Sequence, residues 1–207
     1  MIDYKKYALL SLSCLLLALV LSMSQVRAGQ EALAERLSPS LLRFHILANS
    51  DRREDQQVKL KVRSLILDYM QSHLDKDAGK EETMQYLEDN KAQVEQLADR
   101  YLAGEGFGYQ ARLELTNCYF PARDYGGMVF PCGYYDAARI TLGSGKGHNW
   151  WCVLYPRLCF VDAACSEIPK DTKAVLQEGL KQSDYLALQD NRPKIEIHFL
   201  LLPFLNP

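Results

Sequence analysis

An uncharged apolar run near the N-terminus indicates that the first part of this chain is a targeting or membrane segment and not part of the folded domain. The run covers residues 8–23 (ALLSLSCLLLALVLSM) and follows two lysines at 5–6. It is shorter than the roughly 20 residues that span a bilayer, and this layout is typical of a secretory signal peptide. Val26 and Ala28 are small residues where a signal peptidase reads, so we expect cleavage after Ala28. Because Arg27 is awkward beside a cleavage site, an uncleaved N-terminal anchor is the alternative.

The charge of the part beyond residue 28 limits its partners. It keeps 21 of the 24 basic and 25 of the 26 acidic residues, a formal charge of −4. No basic stripe indicates nucleic acid, and the acidic balance argues against general attraction to anionic lipid. We therefore expect membrane contact only through the leader or a receptor. No cofactor, metal site or small-molecule substrate is expected.

Five of the six cysteines lie beyond the leader, where an exported chain can form disulfides. Cys118 and Cys132 lie almost symmetrically about the turn-forming DYGG motif, so a hairpin there would bring the two thiols together. Cys152 and Cys159 bracket WCVLYPRLC and form the second candidate bridge, which leaves Cys165 unpaired. Free, buried thiols are the alternative, and zinc is disfavoured because the spacings match no usual ligand pair.

Apolar spacing predicts two long amphipathic helices after a first strand. Residues 41–48 (LLRFHILA) are typical of a buried strand, and a short helical lead-in over 31–37 precedes them. Over 51–74 the apolar residues recur every three and four positions. The same spacing returns over 81–103 and ends at a glycine-rich stretch.

Alternating residues predict the other strands. YQARLELT (109–116), DAARITLG (136–143) and KIEIHFLL (194–201) alternate as half-buried strands do, while 171–188 is weakly helical.

These elements favour a single exported α+β domain over residues 29–207, with the two long amphipathic helices packed on a mostly antiparallel sheet. Residues 1–28 form the preceding signal peptide or anchor.

The stretch RFHILANSD (43–51) joins the first strand to the first long helix. Asp51 can cap that helix, with Glu54 completing a capping box. His45 lies in an apolar strand, where a hydrogen-bonded core or sheet-surface histidine is the ordinary case. A catalytic base that works with Asp51 or Asp55 is the alternative.

LGSGKGHNWW (142–151) invites a phosphate-loop interpretation that fails in detail. A Walker loop places Ser or Thr after its lysine, whereas Gly147 follows Lys146 here. A tight hairpin turn is predicted instead. Trp150 and Trp151 would point to opposite faces of a strand, so one can be core and the other an exposed contact residue.

Two long blocks, RFHILANSDRREDQQVKLKVR (43–63) and YYDAARITLGSGKGHNWWCVLYPRLCFVD (134–162), closely resemble the stage II sporulation protein R family. The resemblance implies an exported signalling protein of endospore-forming bacteria. Such a protein is made in the forespore and secreted across the forespore membrane into the intermembrane space. There it acts on a membrane-embedded sporulation aspartic protease, the stage II sporulation protein GA-like receptor, which processes the mother-cell pro-sigma factor.

The family pattern carries no catalytic residue to transfer, and it typically has only the cysteine pair at 152 and 159. Cys118 and Cys132 depart from it. The characteristic positions fall on Arg43, Phe44, His45, Ala48, Asn49, Ser50, Asp51, Asp55, Gln56, Lys59, Lys61, Arg63, Gly143, Gly145, Gly147, Asn149, Trp150, Trp151, Cys152, Pro156, Cys159 and Phe160.

Two functional hypotheses follow. The first is a non-enzymatic ligand that shifts the protease toward its active or dimeric state by binding that state better. The second is an exported hydrolase that uses His45 with Asp51 or Asp55 on a wall or peptide substrate. The expected partner-binding residues are Arg43, His45, Asn49, Ser50, Asp51, Lys146, His148, Asn149, Trp150 and Trp151.

Overall fold

The computed structural model describes residues 4–75, 77–156, 158–160 and 170–190. Within these ranges it contains six α-helices and six β-strands. The helices are α1 (Tyr4–Leu37), α2 (Arg53–His73), α3 (Lys80–Asp89), α4 (Lys91–Gly104), α5 (Lys170–Gly179) and α6 (Gln182–Asp190). The strands are β1 (Leu42–Leu47), β2 (Ala111–Phe120), β3 (Arg123–Tyr125), β4 (Met128–Phe130), β5 (Gly133–Leu142) and β6 (Asn149–Tyr155). Short 3-10 turns cover Ser38–Ser40 and Leu158–Phe160.

A four-stranded sheet, ordered β2-β5-β1-β6, forms the centre of the molecule. β1 is parallel to β5, with Phe44 opposite Ala138, and antiparallel to β6, with Phe44 opposite Cys152. β2 and β5 are antiparallel along their whole length, and β3 and β4 form a separate hairpin. The predicted α+β class and mostly antiparallel sheet are therefore confirmed.

The sheet is covered on both faces because each strand alternates its side chains. Phe44 and Ile46 of β1 pack with Val62 of α2 and Leu102 of α4. The opposite face packs against the end of α1, the β3–β4 hairpin, α5 and α6. Its buried residues are Leu33, Ala34, Leu37, Leu41, Phe120, Met128, Phe130, Tyr135, Ala137, Val153, Leu158, Leu176, Tyr185 and Leu188.

Helix α1 joins the leader to the domain without a break. The sequence predicts a separate lead-in over 31–37, whereas the structure has one helix from Tyr4 to Leu37. Leu33, Ala34 and Leu37 are buried in the domain core. The segment after the expected cleavage point is thus a structural part of the domain.

The second predicted long helix is two helices, α3 and α4, that meet at Asn90. The Asn90 side chain donates to the Tyr86 carbonyl (2.9 Å) and its backbone leaves helical geometry, with φ −107° and ψ 16°. Asparagine competes for backbone hydrogen bonds in this way, which makes it a helix end. The predicted helix over 171–188 is likewise two helices, α5 and α6. The predicted strand over 194–201 lies outside the described residues.

One edge of the sheet is capped by acidic side chains. Asp99 of α4 accepts from the backbone N–H of Ala111 (2.6 Å), and Glu95 accepts from that of Leu113 (2.8 Å). Edge amides left open would pair with another strand, so these carboxylates satisfy and block part of the β2 edge.

Candidate functional site

Two loops pack against each other at the end of the sheet where β1 and β5 finish. We call them the paired loops: residues 48–52, between β1 and α2, and residues 143–148, between β5 and β6. The Gly147 amide donates to the Ala48 carbonyl (2.9 Å), and Ser144 donates to the side-chain oxygen (2.9 Å) and carbonyl oxygen (2.7 Å) of Asn49. The predicted hairpin turn is therefore wrong: β1 lies between β5 and β6, and residues 143–148 cross over it.

Glycine is required where the paired loops touch. A Cβ on Gly147 would overlap the Ser50 carbonyl, and one on Gly143 would overlap the Asn49 side chain. Gly143 also has a φ of +56°, which L side chains rarely adopt. The glycine spacing that resembles a phosphate loop serves close backbone contact.

Asp55 is the buried centre of the paired loops. Its carboxylate accepts from the Asn49 amide (3.1 Å), the Ser50 hydroxyl (2.5 Å) and the Tyr109 hydroxyl (2.6 Å). Burial raises the pKa of this carboxyl, but the three donors outweigh burial and hold the pKa below its usual value. Burial and Asp55 together raise the pKa of Tyr109. Asn49 and Ser50 therefore hold the Asp55 carboxylate at the centre of the paired loops.

Lys59 attaches α2 to the second loop. It is 5% exposed, and its ammonium donates to the Gln56 side chain (2.6 Å) and the His148 carbonyl (2.8 Å). Burial lowers the pKa of Lys59, although the charge of Asp51 acts in the opposite direction. Sequence reasoning gave Lys59 no role; the available signal is its position four residues after Asp55 on an otherwise apolar helix face.

Asp51 bonds the second loop and does not cap α2. Its carboxylate accepts from the backbone N–H (2.7 Å) and the ring Nδ1 (2.5 Å) of His148, and these bonds lower the pKa of Asp51. The residue at the N-cap position is Arg52, which makes no side-chain cap bond. The predicted Asp51 cap is therefore wrong, because His148 takes its carboxylate. Lys146, in the same loop as His148, is exposed. We call Asp51, Lys146 and His148 the tip surface.

Arg43 is enclosed by aromatic rings. It has no exposed surface; its guanidinium lies 4.5 Å from the centre of the Phe120 ring and 5.0 Å from that of Tyr135, and its Nε donates to the Cys152 carbonyl (3.1 Å). Cation–π contact supplies part of the stabilisation that water would give. The expected direct contact of Arg43 with a partner does not fit this burial.

His45 is also buried, at 4% exposed. Its ring stacks on Trp151 (4.9 Å between centroids, 7° between planes), and its Nε2 lies 3.6 Å from the Cys118 sulfur. Burial, followed by the charges of Arg139 and Arg43, lowers the pKa of His45 to about 4. The pairing of His45 with Asp51 or Asp55 is not formed, because His148 and the Asn49–Ser50–Tyr109 set occupy those carboxylates.

The Cys118–His45 contact was not predicted, since no local pattern joins residues on β1 and β2. A cysteine nucleophile needs a thiolate, usually beside a protonated imidazole. Burial raises the pKa of Cys118 and lowers that of His45, so the pair is neutral near pH 7. This protonation state is that of a packed thiol and not of an activated nucleophile.

Trp150 and Trp151 point to opposite faces, as predicted. Trp150 meets Phe44 edge-on (6.0 Å) and lies under the Arg63 guanidinium (4.7 Å). Both tryptophans are half-buried, so neither is the fully exposed contact residue that the sequence suggests. Asn149, beside them, is also half-buried and leaves its Oδ1 without a hydrogen-bond partner within the described ranges.

The cysteines correct one candidate bridge. Cys118 lies opposite Tyr135 in the β2–β5 ladder, whereas Cys132 precedes β5 and donates to the Gln30 side chain (3.1 Å). Cys118 and Cys132 are free thiols, so that predicted pair is wrong in this register. Cys152 and Cys159 are also free thiols, but both are buried and in hydrogen-bond contact with each other, so a bridge between them is not formed in this structure and stays a prediction. Cys165 lies outside the described residues.

Comparison with known proteins gives a consistent result. The family model for stage II sporulation protein R matches residues 38–165. Stage II sporulation protein R of Bacillus subtilis (strain 168) is 29% identical over 213 aligned positions, which cover 93% of this chain and 95% of that protein. No solved structure matches. The match spans β1, the paired loops and the buried polar residues that hold them together, and the chain therefore belongs to the stage II sporulation protein R family.

Proposed function

We propose that this protein is an exported sporulation signal that activates a membrane-embedded aspartic protease by binding it, without chemistry of its own. In this proposal it is delivered across the forespore membrane into the intermembrane space, and the protease then processes the mother-cell pro-sigma factor. Family membership supports the sporulation role.

The observation that carries the binding mechanism is an exposed tip surface that is hydrogen-bonded to buried residues beneath it. The His148 side chain is 81% exposed and that of Asp51 is 56% exposed, yet both are fixed by their mutual hydrogen bond. Beneath them Asp55 and Lys59 are buried, Asp55 accepts three hydrogen bonds, and Lys59 donates to the His148 carbonyl. A surface that is ordered before binding loses less entropy when it binds.

Activation by such a surface needs only differential affinity. A ligand that moves an equilibrium from one active molecule in a hundred to nearly all must bind the active state about 10⁴-fold more tightly, about 5.5 kcal/mol. A compact interface supplies that difference through a few well-placed contacts, which are usually central in the interface. Lys146 and His148 are the tip residues that we expect to supply them.

Reconstitution in vesicles tests this proposal directly. The purified chain is added to vesicles that hold the protease and its pro-protein substrate, and cleavage is followed with time. We expect cleavage to depend on the added chain and to saturate at a fixed ratio of chain to protease. Lys146→Ala with His148→Ala should raise the half-saturating concentration at least about tenfold, the loss of about 1.4 kcal/mol of binding.

Two variants separate binding from chemistry. Lys181→Ala removes an exposed lysine outside the region matched by the family model and should leave activation unchanged. Cys118→Ser removes the thiol beside His45 and should also leave activation unchanged. Activation that continues far beyond the number of added molecules, and that disappears in Cys118→Ser while capture of the protease persists, would instead establish a hydrolase.

A further inference from the structure

The two faces of the central sheet are covered unequally at the end near the paired loops. On one face, Leu113, Ile140 and Ile46 form a row across β2, β5 and β1 that is at most 1% exposed, because it packs with residues of α2 and α4. On the opposite face the neighbouring positions of all four strands form a second row, which we call the open row: Glu114, Arg139, His45 and Trp151. The side chains of Glu114 and Arg139 are 39% and 35% exposed.

The open row lies between the covered part of its face and the paired loops. The next row away from the loops holds Ala137, Arg43 and Val153, which are at most 1% exposed. On the other side, a Cβ on Gly145 would come within 2.7 Å of the Thr141 side chain, so the second of the paired loops lies against the strand ends there. The open row is therefore continuous with the loop that carries two residues of the tip surface.

One end of the open row has an excess of positive charge. Arg139 donates to Glu114 (3.0 Å), and this hydrogen bond does most to lower the pKa of Glu114, to which the charges of Arg139 and Arg112 add. Arg112 is exposed, lies on the same face of β2 as Glu114, and has no ion pair within the described part of the chain. The acids of α4 at this edge, Glu95 and Asp99, accept from β2 amides. Arg112 is thus a cation that is free to pair with a partner.

The other end of the open row is aromatic. Trp151 stacks on His45 and meets the Phe120 ring edge-on (4.9 Å), yet it is only half-buried, so part of the indole reaches solvent. Because the pKa of His45 is about 4, the ring beneath the indole carries no charge near pH 7. Three strand spacings across the sheet and two residues along it separate Arg112 from Trp151, which is about 16 Å. About five residues of extended chain cover that distance.

We propose that the open row and Arg112 are a docking surface for an extended segment of the partner protein, with an apolar or aromatic side chain on Trp151 and a carboxylate on Arg112 about five residues away. Arginine and tryptophan are the residue types that most often dominate binding energy in protein interfaces. This inference rests on the proposed function, since the partner is taken to be the protease. It extends the contact from the tip surface onto the sheet.

Charge reversal at Arg112 in the vesicle reconstitution tests the docking surface. Arg112→Glu should raise the half-saturating concentration of the full chain at least about tenfold, because it places like charges opposite each other. Arg112→Lys keeps the charge and should stay within about threefold of wild type. Arg100→Glu makes the same reversal at an exposed position on α4, away from the open row, and should leave activation unchanged.

The aromatic end is tested separately with Trp151→Phe, which keeps a ring on His45 but removes part of the exposed surface. We expect it to raise the half-saturating concentration about fivefold, as loss of a tryptophan contact does. Raising the ionic strength from about 50 to about 300 mM should weaken activation by wild type more than activation by Arg112→Ala, because salt screens the exposed pair. Arg112 is exposed, so its variants decide the question even if Trp151→Phe is unstable.

Three results would overturn the docking surface. If wild type activates the protease and Arg112→Glu and Arg100→Glu do so equally well, the open row is not a contact, although the proposed function stands. If wild type itself fails to activate, both proposals fall. If sedimentation shows that the free chain is a dimer that Arg112→Glu dissociates, the open row is occupied by a second copy of the chain.

Discussion

His45 is held in an environment that disfavours its charged form. Its ring lies between Trp151 and Phe120 (centroids 4.9 and 5.1 Å away), and Arg43 and Arg139 add positive charge nearby. Its pKa falls from 6.5 to about 4. Above pH 6.5 the histidine is neutral in both the folded and the unfolded chain. Between pH 6.5 and about 4 the unfolded chain binds a proton at this histidine and the folded chain does not, so protonation favours unfolding.

We therefore predict that the stability of the protein falls as pH drops from 6.5 to 4, and that His45 alone accounts for about 3 kcal/mol of the fall. His45→Phe keeps the ring and removes the proton site, so its free energy of unfolding should decline much less over this window. Urea denaturation at four pH values measures both slopes. His73→Gln, at an exposed histidine on α2, is the matched control. Parallel slopes in wild type and His45→Phe would contradict this account.

Asp55 gives the second residue-level prediction. Three donors converge on its buried carboxylate, so Asp55→Asn should lose about 1–3 kcal/mol of stability at pH 7. Because its folded pKa lies below the unfolded value, this stability is fully present above about pH 4 and is lost as pH falls through the folded pKa. The wild type and Asp55→Asn should therefore converge in acid. Asp68→Asn, at an exposed acid on α2, should match wild type at every pH.

How much of these environments could be predicted depended on distance along the chain. Strand alternation is local, and it correctly placed Trp150 and Trp151 on opposite faces. The surroundings of His45 come from β2 and β6, more than seventy residues away, and no spacing rule identifies them. The burial of Arg43 was missed for the same reason, since its aromatic neighbours lie on β2, β3, β4 and β5.

Among the elements, the paired loops depend most on exact backbone approach. Gly147→Ala puts a methyl group into the Ser50 carbonyl, so the loops must separate, and we predict a loss of about 1–3 kcal/mol. The tip surface should lose its order along with that contact. Thermal unfolding measures the first effect, and hydrogen exchange at residues 144–148 measures the second.

Gly104→Ala is the matched control for that prediction. Gly104 ends α4, and a Cβ there meets no atom within 4 Å. The substitution should be neutral or stabilise by up to about 1 kcal/mol, because alanine favours the helix. A loss at Gly104 as large as at Gly147 would mean that the paired loops are not the cause.

The helices and strands could be predicted individually, but their arrangement could not. The periods of α2 and β2 are local and were identified correctly, whereas the break at Asn90 between α3 and α4 was missed. The parallel pairing of β1 with β5 joins segments separated by three helices, strand β2 and the β3–β4 hairpin. Once β1 is placed between β5 and β6, residues 143–148 must cross over β1, which is why the predicted hairpin failed.

At the scale of the whole molecule, α1 belongs to the domain as much as to the leader. Its residues Leu33 and Leu37 are buried in the domain core, and its Arg36 forms an ion pair with Asp184 of α6 (3.0 Å). The family match begins at residue 38, after this helix ends. A boundary set by sequence similarity alone would therefore remove part of the core.

Two truncations test where the domain begins. A chain of residues 29–207 keeps the buried turns of α1 and should fold cooperatively, which the sequence boundary at 28 also predicts. A chain of residues 38–207 loses Leu33, Ala34 and Leu37, and burial of the two leucines alone is worth about 3–6 kcal/mol. Because small domains are stable by only about 5–15 kcal/mol, the shorter chain should be largely unfolded or should melt at a far lower temperature.

Leu33→Ala with Leu37→Ala in residues 29–207 removes the same leucine contacts while keeping the helix, and it should reproduce most of the loss of stability. Equal urea midpoints for all three chains would mean that the end of α1 packs on the sheet without stabilising it.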